Sequence, residues 1–313
     1  MEDVAHIASQ VRSNTCPREV DLGDSNIGDA GAILLAGALK DNTCLEALDL
    51  YNNNIGPDGA AALADALKVN RCLRELDLRC NNIGPAGAAA LAEALKVNTC
   101  LQELHIFDNN IGDAGAIVLA DALKDNTCLQ KLNLYGNNIT DSGAAALAAA
   151  LATNACLEDL ILCDNDIGDE GAAALARVFV RRPGSRLLTL FLNEVGDQGA
   201  RAFAEVIALG AEPGPIQTLN LNLDHNRIGD GGSKALVQAQ KNNARVLVRD
   251  GSCALFRITH EMEMFATTLW TRRFLKKAPD FIRARALAVL LICLRKGYPF
   301  VASLLLDECT LVR

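Results

Sequence analysis

The sequence contains few aromatic residues, few histidines and no long apolar run. Aromatic residues make up 4% of the 313 residues, and there are four histidines. The longest apolar run covers residues 286–294 and ends at Arg295 and Lys296, whereas a membrane-spanning helix needs about 20 apolar residues. The first residues also lack the positive start and apolar centre of a secretory signal peptide. These absences argue against membrane insertion and against secretion.

Side chains arranged for catalysis or metal binding are also missing. No two of His6, His105, His225 and His260 lie at a spacing typical of metal ligands. No glycine-rich loop of the kind that binds phosphate precedes a lysine. The outward positions in the N-terminal half of the repeats described below are acidic, whereas nucleic acids require a basic stripe. The sequence therefore predicts a protein that is not an enzyme and that binds no metal, cofactor or nucleic acid.

Cysteine is abundant, and its distribution is regular. Six of the eleven cysteines recur at one constant interval, namely Cys16, Cys44, Cys72, Cys100, Cys128 and Cys156. This spacing suits a buried position repeated along a stack, and it fits neither a disulfide framework nor a set of metal ligands. So many free thiols indicate a reducing compartment, and we predict a cytoplasmic protein.

One sequence unit is repeated four times without slippage. The stretch LEALDLYNNNIGPDGAAALADALKVNRC starts at Leu45, and similar copies start at Leu73, Leu101 and Leu129. The interval from Leu45 to Leu73 is the same as that between the later starts, which gives a constant 28-residue period. Self-similarity at such a period is typical of a solenoid, in which each unit buries its apolar face against its neighbours.

Each unit has the pattern of a strand followed by a helix. Leu48 and Leu50 alternate with other residues, which predicts a strand with one buried face. Pro57 stands where a helix is expected to begin, and Leu63 and Leu67 lie on one stripe at helical spacing. We therefore predict an α/β solenoid whose strands are parallel and whose helices cover the opposite face.

An asparagine column recurs three residues after the last leucine of each strand. Its members are Asn53, Asn81, Asn109, Asn137 and Asn165. A side-chain amide has both donors and acceptors, so a stack of amides can satisfy backbone groups where each strand turns away. We interpret this column as a structural asparagine ladder.

These units resemble the ribonuclease-inhibitor-like subclass of leucine-rich repeats. The closest resemblance is to the repeat regions of NOD-like receptors and to Ran GTPase-activating proteins, and it extends over residues 1–250. The resemblance implies a horseshoe with parallel strands on its concave face, helices on its convex face and a protein as partner. It is specific for the fold and says less about function, because this scaffold serves many partners.

The chain divides into three predicted parts. Residues 1–16 align with the helical half of a repeat and are predicted to be an N-terminal half-repeat or cap; whether the array is complete stays open. Residues 17–250 hold the repeats. In the unit near Leu187, we take Leu190 and Leu192 as the strand leucines, which leaves no room for a ladder asparagine. Residues 251–313 are basic and rich in aromatics, and are predicted to be a helical C-terminal cap or docking segment.

The repeat period also identifies the residues that point outward from the strands. The candidate partner-binding residues on this face are Asp49, Tyr51, Glu75, Asp77, Arg79, His105, Phe107 and Tyr135. Tyr51, Phe107 and Tyr135 share one column that we expect to be exposed, and large rings on a concave face are typical binding anchors. The acidic residues beside them favour a basic or mixed protein partner.

Three functions are compatible with these features. The first is a non-enzymatic scaffold that binds a protein on its concave face and serves in signalling or regulation. The second, which the resemblance implies, is a GTPase-activating protein of the Ran activator type, although no catalytic arginine can be matched by motif and Arg79 is the one arginine in the outward columns. The third is an adaptor whose C-terminal helices recruit a larger complex.

Overall fold

Helices and strands alternate throughout the computed structural model, which describes residues 2–180, 184–209, 219–243 and 246–250. The strands in this part of the chain are β1 Glu19–Asp21, β2 Ala47–Asp49, β3 Glu75–Asp77, β4 Glu103–His105, β5 Lys131–Asn133, β6 Asp159–Ile161, β7 Leu187–Thr189, β8 Leu219–Asn222 and β9 Val246–Arg249. The helices are α1 Glu2–Arg12, α2 Gly28–Leu39, α3 Pro57–Leu67, α4 Gly84–Leu95, α5 Gly112–Asp125, α6 Asp141–Leu151, α7 Asp169–Phe179, α8 Asp197–Leu209 and α9 Asp230–Asn242.

The strands form one parallel sheet in chain order from β1 to β9. Leu48 pairs with Leu76, and Leu76 pairs with Leu104, so each strand sits one 28-residue period after its neighbour. Between β7 and β8 the offset is larger, since Leu188 pairs with Leu221, yet the parallel pairing continues. The predicted α/β leucine-rich repeat solenoid is confirmed.

The core lies between the sheet and the layer of helices. Leu48 and Leu50 from the strand side and Leu63 and Leu67 from the helix side are all buried, as is Ile55 in the turn between them. Adjacent strands lie about 4.8 Å apart, whereas helices are about 10 Å in diameter. Because the helix layer needs more width per repeat, the strands line the concave face.

The asparagine ladder joins each turn to the next repeat. The Nδ2 group of Asn109 donates to the carbonyls of Leu78 and Phe107, both at 2.9 Å. Its Oδ1 atom accepts from the backbone N–H of Ile83 at 3.2 Å. Asn137, one repeat later, accepts the backbone N–H of Asn109. Each amide therefore satisfies backbone groups of two repeats, which a purely apolar stack would leave buried and unpaired.

A second asparagine column, which our sequence interpretation did not include, closes the other end of each repeat. It comprises Asn42, Asn70, Asn98, Asn126 and Asn154. Asn98 donates to the carbonyl of Leu67 at 2.8 Å and accepts from the backbone N–H groups of Cys100 and Leu101. The recurrence of asparagine two residues before each cysteine is the signal that would have revealed it.

The cysteine column is less buried than we expected. All six of its members are only partly buried, and the described cysteines are free. The neighbouring asparagines take the fully buried positions because their amides satisfy backbone groups there. Cys16 and Cys44 place their sulfur atoms 3.3 Å apart, and the sulfur of Cys100 instead contacts the carbonyl of Arg71.

The unit that contains β7 is regular, and our expectation of a missing ladder asparagine was wrong. The buried strand leucines are Leu188 and Leu190, two positions earlier than we assigned them. Asn193 then occupies the ladder position and donates to the carbonyl of Leu162 at 2.8 Å. Leu192 stands in the turn with φ of 54°. The repeated leucines of LLTLFL admit both registers locally, but Asn193 lies one 28-residue period after Asn165, and extending the period would have identified the right one.

A carboxylate at the start of one helix caps the start of the next. Asp29 Oδ1 accepts hydrogen bonds from the backbone N–H groups of Gly56, at 2.7 Å, and Gly59, at 2.9 Å. No such carboxylate reaches Gly84, the residue equivalent to Gly56 in the next repeat. The position equivalent to Asp29 is occupied there by Pro57. Gly84 adopts φ of 63° and donates to the carbonyl of Asn109 instead. The residue type at one helix start thus sets the turn conformation in the next repeat.

The predicted terminal parts differ in what the structure describes. Helix α1 lies within the segment 1–16, and Val4, Ala8 and Val11 on its buried side join the common core. Segment 251–313, where we expect a helical cap or docking segment, lies outside the described residues. Among the described helices, none combines the length and the apolar content needed to cross a bilayer.

Candidate protein-binding surface

The outward side chains of the strands form three parallel columns, which we call the strand face. The columns begin at Glu19, Asp21 and Gly23 and repeat with each strand. Parallel pairing places members of one column side by side, as for Glu75 opposite Glu103 and Asp77 opposite His105. All candidate residues predicted from the sequence lie on this face, because the period assigns every one of them to an outward position.

Tyr51, Arg79, Phe107 and Tyr135 form a continuous stack, which we call the aromatic row. The guanidinium carbon of Arg79 lies 5.4 Å from the ring centroid of Tyr51 and 5.4 Å from that of Phe107. Phe107 and Tyr135 meet edge to face with centroids 5.3 Å apart. Cation–π and edge-to-face contacts of this kind are each worth about 0.5–1.5 kcal/mol. The row is therefore held in place before any partner arrives.

The aromatic row is less exposed than the sequence suggested. Phe107 is 8% exposed, because Arg79 and Tyr135 cover its two sides. Tyr51 and Tyr135 are half-buried and leave part of each ring at the surface. Cys163, which continues the column, is fully buried. Strands about 4.8 Å apart bring large neighbouring side chains into contact, so they shield one another.

Tyrosine hydroxyls of the row contact a fourth column that we did not consider. Besides the effect of burial, Cys80 lies close enough to Tyr51, and Asp164 close enough to Tyr135, to raise the pKa of each hydroxyl. Cys80 and Asp164 have φ of 53° and 52°, in the left-handed region that side chains other than glycine rarely adopt. Burial raises the pKa of Tyr51 to about 12. Burial also raises the pKa of Tyr135, with a further contribution from the Asp164 carboxylate.

Asp49 and Asp77 have a structural role in addition to their charge. Asp49 Oδ1 accepts from the backbone N–H of Tyr51 at 2.9 Å, and Asp77 Oδ1 accepts from that of Arg79 at 3.0 Å. Asn133 makes the same contact with Tyr135 at 3.1 Å. These side chains hold the backbone where the strand ends, as in an Asx turn.

Asp77 and Arg79 also form a largely buried ion pair. The Nε group of Arg79 donates to Asp77 Oδ2, and the two side chains are 13% and 7% exposed. Burial raises the pKa of Asp77 to about 7, and the guanidinium of Arg79 opposes that rise. Arg79 is thus fixed by a carboxylate as well as by two rings, which keeps its long side chain in one conformation.

A histidine and two glutamates meet beside the row, on β3 and β4. His105 Nε2 lies 3.4 Å from Glu103 Oε2 and 3.9 Å from Glu75 Oε1. Lys131 Nζ approaches the same Glu103 oxygen at 3.5 Å. The hydrogen bond from His105 lowers the pKa of Glu103 to about 2, whereas burial lowers the pKa of His105 itself. Burial and the neighbouring Glu103 carboxylate raise the pKa of Glu75.

The same residues are the candidates for holding a cation. Within the described ranges, Glu75, Glu103 and His105 form the one group of three histidine, cysteine or acidic side chains whose ligand atoms all lie within 4.8 Å of one another. Across β1 to β4 the three columns carry six carboxylates against the guanidinium of Arg79. This half of the strand face is therefore strongly acidic.

The comparison with protein families agrees with this architecture. A family model described as Leucine Rich repeat matches residues 13–36, 41–64, 69–92, 97–120, 125–148, 153–176 and 217–237, more than half of the chain. The chain belongs to the leucine-rich repeat family. Most matched segments begin in the turn before a strand and end within the following helix, as expected for one leucine-rich repeat each.

Solved structures show partial similarity to this chain. One is titled leiomodin-1 actin-binding site 2 and is 27% identical to this chain. The alignment covers 48% of this chain and 87% of the leiomodin-1 chain, with a TM-score of 0.42. Another is the tropomodulin C-terminal domain of Caenorhabditis elegans, which is 19% identical to this chain. The alignment covers 49% of this chain and 93% of the tropomodulin chain, with a TM-score of 0.42. The search of curated proteins finds no match.

Proposed function

We propose that this leucine-rich repeat protein is an interaction scaffold whose strand face binds a cationic segment of a protein partner. The observation that carries this proposal is the aromatic row lying beside an acidic surface. Tyr51 and Tyr135 present partly exposed rings at a fixed position, and Glu75 and Glu103 stand next to the row with side chains 43% and 40% exposed. Rings and carboxylates together favour lysine and arginine side chains.

Rigidity of the row supports binding at this face. A partner that orders a mobile surface loses about 0.5–1.5 kcal/mol for each side chain it immobilises. In this protein, Arg79 is already held by Asp77 and stacked between Tyr51 and Phe107. Contact with the row therefore costs little conformational entropy, and the aromatic surface is available as a binding anchor.

Charge sets the class of partner. Exposed carboxylates on β1 to β4 attract cationic segments over about 8 Å at physiological ionic strength and repel acidic ones. Lys131 neutralises part of the charge at its end of the face, through Glu103. We therefore place the cationic residues of the partner over β1 to β4 and its apolar residues over Tyr135.

The geometry of Arg79 counts against the alternative of a GTPase-activating arginine. An arginine finger must extend its guanidinium into the active site of the GTPase. The Arg79 side chain is 13% exposed. Its guanidinium is paired with Asp77 and covered by the rings of Tyr51 and Phe107. Extending it would leave the Asp77 carboxylate buried without its cation, which is costly. The adaptor alternative depends on residues 251–313, which lie outside the described part.

The proposal is tested by affinity capture from a matched lysate with two paired variants. Tyr51→Ala with Tyr135→Ala removes rings from the strand face. Ile33→Ala with Ile117→Ala removes two side chains of similar hydrophobicity, 50% and 46% exposed, from helices α2 and α5. Both variants should keep the helical circular dichroism of the wild type.

The expected result is a set of proteins that the wild type and the helix variant retain and the strand variant loses. Purified members of that set should bind through a basic segment, with an affinity that falls as salt is raised. Loss of the set in the helix variant alone, or binding that is insensitive to salt, would contradict the proposal.

A further inference from the structure

Glu75, Glu103 and His105 bring two carboxylates and an imidazole together on adjacent strands. We propose that these three residues form a binding site for one divalent transition-metal ion of the zinc class. The site would use His105 Nε2, with the imidazole proton carried on Nδ1 once the metal replaces the hydrogen bond to Glu103, and one oxygen from each glutamate, with the remaining coordination position open to solvent. This inference does not depend on the proposed protein partner.

The register of the sheet builds the cluster. Glu75 and Glu103 are directly opposite each other on β3 and β4, and His105 follows Glu103 by two residues on the same face of β4. The His105 side chain is 9% exposed and its Nε2 atom faces both carboxylates. Ligands that stand on paired strands have fixed Cα positions, so little rearrangement is needed for binding.

The distances from His105 to the two carboxylates are close to those of a tetrahedral site, and all three ligand atoms lie within 4.8 Å of one another. Zinc lies about 2.0–2.2 Å from nitrogen and oxygen ligands, which places neighbouring ligand atoms roughly 3.4 Å apart. His105 Nε2 is 3.4 Å from Glu103 Oε2 and 3.9 Å from Glu75 Oε1. Rotation of the Glu75 side chain, which is 43% exposed, closes the remaining gap. An imidazole ligand favours zinc, cobalt, nickel or copper over calcium and magnesium.

Repulsion between the two carboxylates favours the binding of a cation between them. Like charges directly opposite each other on paired strands are destabilising, and Glu75 faces Glu103 in this way. Lys131 relieves part of the repulsion by approaching Glu103 Oε2 at 3.5 Å from β5. It therefore competes with a metal ion for that oxygen, and removing its ammonium group should tighten metal binding.

The neighbouring strands β2 and β5 lack this pair of a glutamate and a histidine, and they show which residues the fold accepts at the two positions. At the positions of Glu103 and His105, strand β2 carries Ala47 and Asp49, and β5 carries Lys131 and Asn133. Alanine in the first column and asparagine in the second are thus compatible with the fold. Glu75→Ala and His105→Asn use these residues and are expected to fold.

The test is titration of the full chain with Co²⁺, followed by visible absorption, with Zn²⁺ then added in competition. The wild type should bind one Co²⁺ ion with the spectrum of a nitrogen and oxygen site, and Zn²⁺ should displace it. Glu75→Ala and His105→Asn should each weaken binding at least tenfold, whereas Lys131→Ala should strengthen it severalfold. Glu19→Ala, which removes a carboxylate from the same column two strands away, should leave the affinity unchanged.

Three outcomes would overturn the proposal. One is the lack of a saturable cobalt spectrum in the wild type. Another is an affinity that His105→Asn leaves unchanged, since the imidazole is the ligand that distinguishes this site from an acidic patch. The third is a spectrum with intense thiolate charge-transfer bands, which would assign the ion to cysteine sulfurs, for example those of Cys16 and Cys44, and not to this cluster. Weaker metal binding in Lys131→Ala would also contradict the proposal, because it would show that Lys131 does not compete with the ion for Glu103.

Discussion

Asp113 accepts two hydrogen bonds from Thr140, one repeat further along the chain. Its Oδ1 atom accepts the backbone N–H at 2.8 Å, and its Oδ2 atom accepts the hydroxyl at 2.6 Å. Other repeats have glycine at the position of Thr140, for example Gly112 and Gly168. Thr140 adopts φ of −102°, which any residue tolerates. A carboxylate one repeat earlier has therefore removed the need for glycine.

This relationship predicts opposite outcomes for one substitution at two equivalent glycines. Gly168 lies at φ of −97° with Asp141 in the place of Asp113, so Gly168→Thr should change the free energy of unfolding by less than about 0.5 kcal/mol or raise it. Gly112 has φ of 59°, so Gly112→Thr should lower it by about 1–3 kcal/mol. Urea denaturation of both variants measures the difference, and equal losses would show that the carboxylate does not set the turn.

The asparagine ladder should contribute strongly to stability. Asn109 is 1% exposed and satisfies two carbonyls and an N–H group. Asn109→Ala leaves these backbone groups buried without partners, and we expect a loss of about 2–4 kcal/mol in the free energy of unfolding. Ser25→Ala is the matched control, because Ser25 occupies the same column but its exposed hydroxyl contacts the carbonyl of Gly23. A loss for Asn109→Ala no larger than that for Ser25→Ala would mean that water replaces the amide.

Asp77 and Arg79 should be energetically coupled. Arg79→Met leaves a buried carboxylate without its guanidinium and should cost about 3 kcal/mol. Asp77→Asn keeps the acceptor for the backbone N–H of residue 79, as Asn133 does for Tyr135. In the double variant the unpaired charge is absent, so its cost should be smaller than the two single costs combined, by about 1–3 kcal/mol. Additive losses in a denaturation cycle would show that the pair contributes little.

Cys163 should make stability fall at alkaline pH. Burial raises the pKa of its thiol from 9.0 to about 12. The unfolded chain therefore loses this proton first, and ionisation between these values favours unfolding. The free energy of unfolding should fall by up to about 1.4 kcal/mol for each pH unit above 9 on account of this group.

Cys163→Ser is the variant that tests this pH dependence. A serine hydroxyl does not titrate in that range and can still reach Thr189, whose hydroxyl lies 3.0 Å from the sulfur. Urea denaturation at pH 8 and at pH 10 should show a smaller fall for Cys163→Ser than for the wild type. Identical falls would place the titrating groups elsewhere.

The sequence predicted the fold well because one period controls it. Leu48 and its equivalents fix the strand, its register and the buried face together, so each copy repeats the same information. The prediction failed where two leucine registers fit equally well, before Asn193. The alternation within the segment does not separate the two registers, whereas the 28-residue period does, since Asn193 follows Asn165 by one period.

Burial and contacts on the strand face could not be predicted from the sequence, because they join residues that lie one repeat apart. Column membership was clear from the period, but the burial of Phe107 depends on Arg79 and Tyr135, which each lie one full repeat away in sequence. Glu75, one repeat before Glu103, likewise meets His105 only through the sheet, so a search for short metal-ligand spacings misses the cluster. In a repeat protein, the relevant spacing for a site is the period itself.

Photo-crosslinking of the partner is the most direct test of the proposed binding surface. A photoreactive phenylalanine analogue is placed at position 51 on the strand face or, as the control, at position 33 on helix α2, and each protein is irradiated in a matched lysate. We predict a specific covalent adduct from position 51, none from position 33, and crosslinked residues that lie within a basic segment of the partner. An adduct from position 33 alone would contradict the account and move the binding surface to the helices.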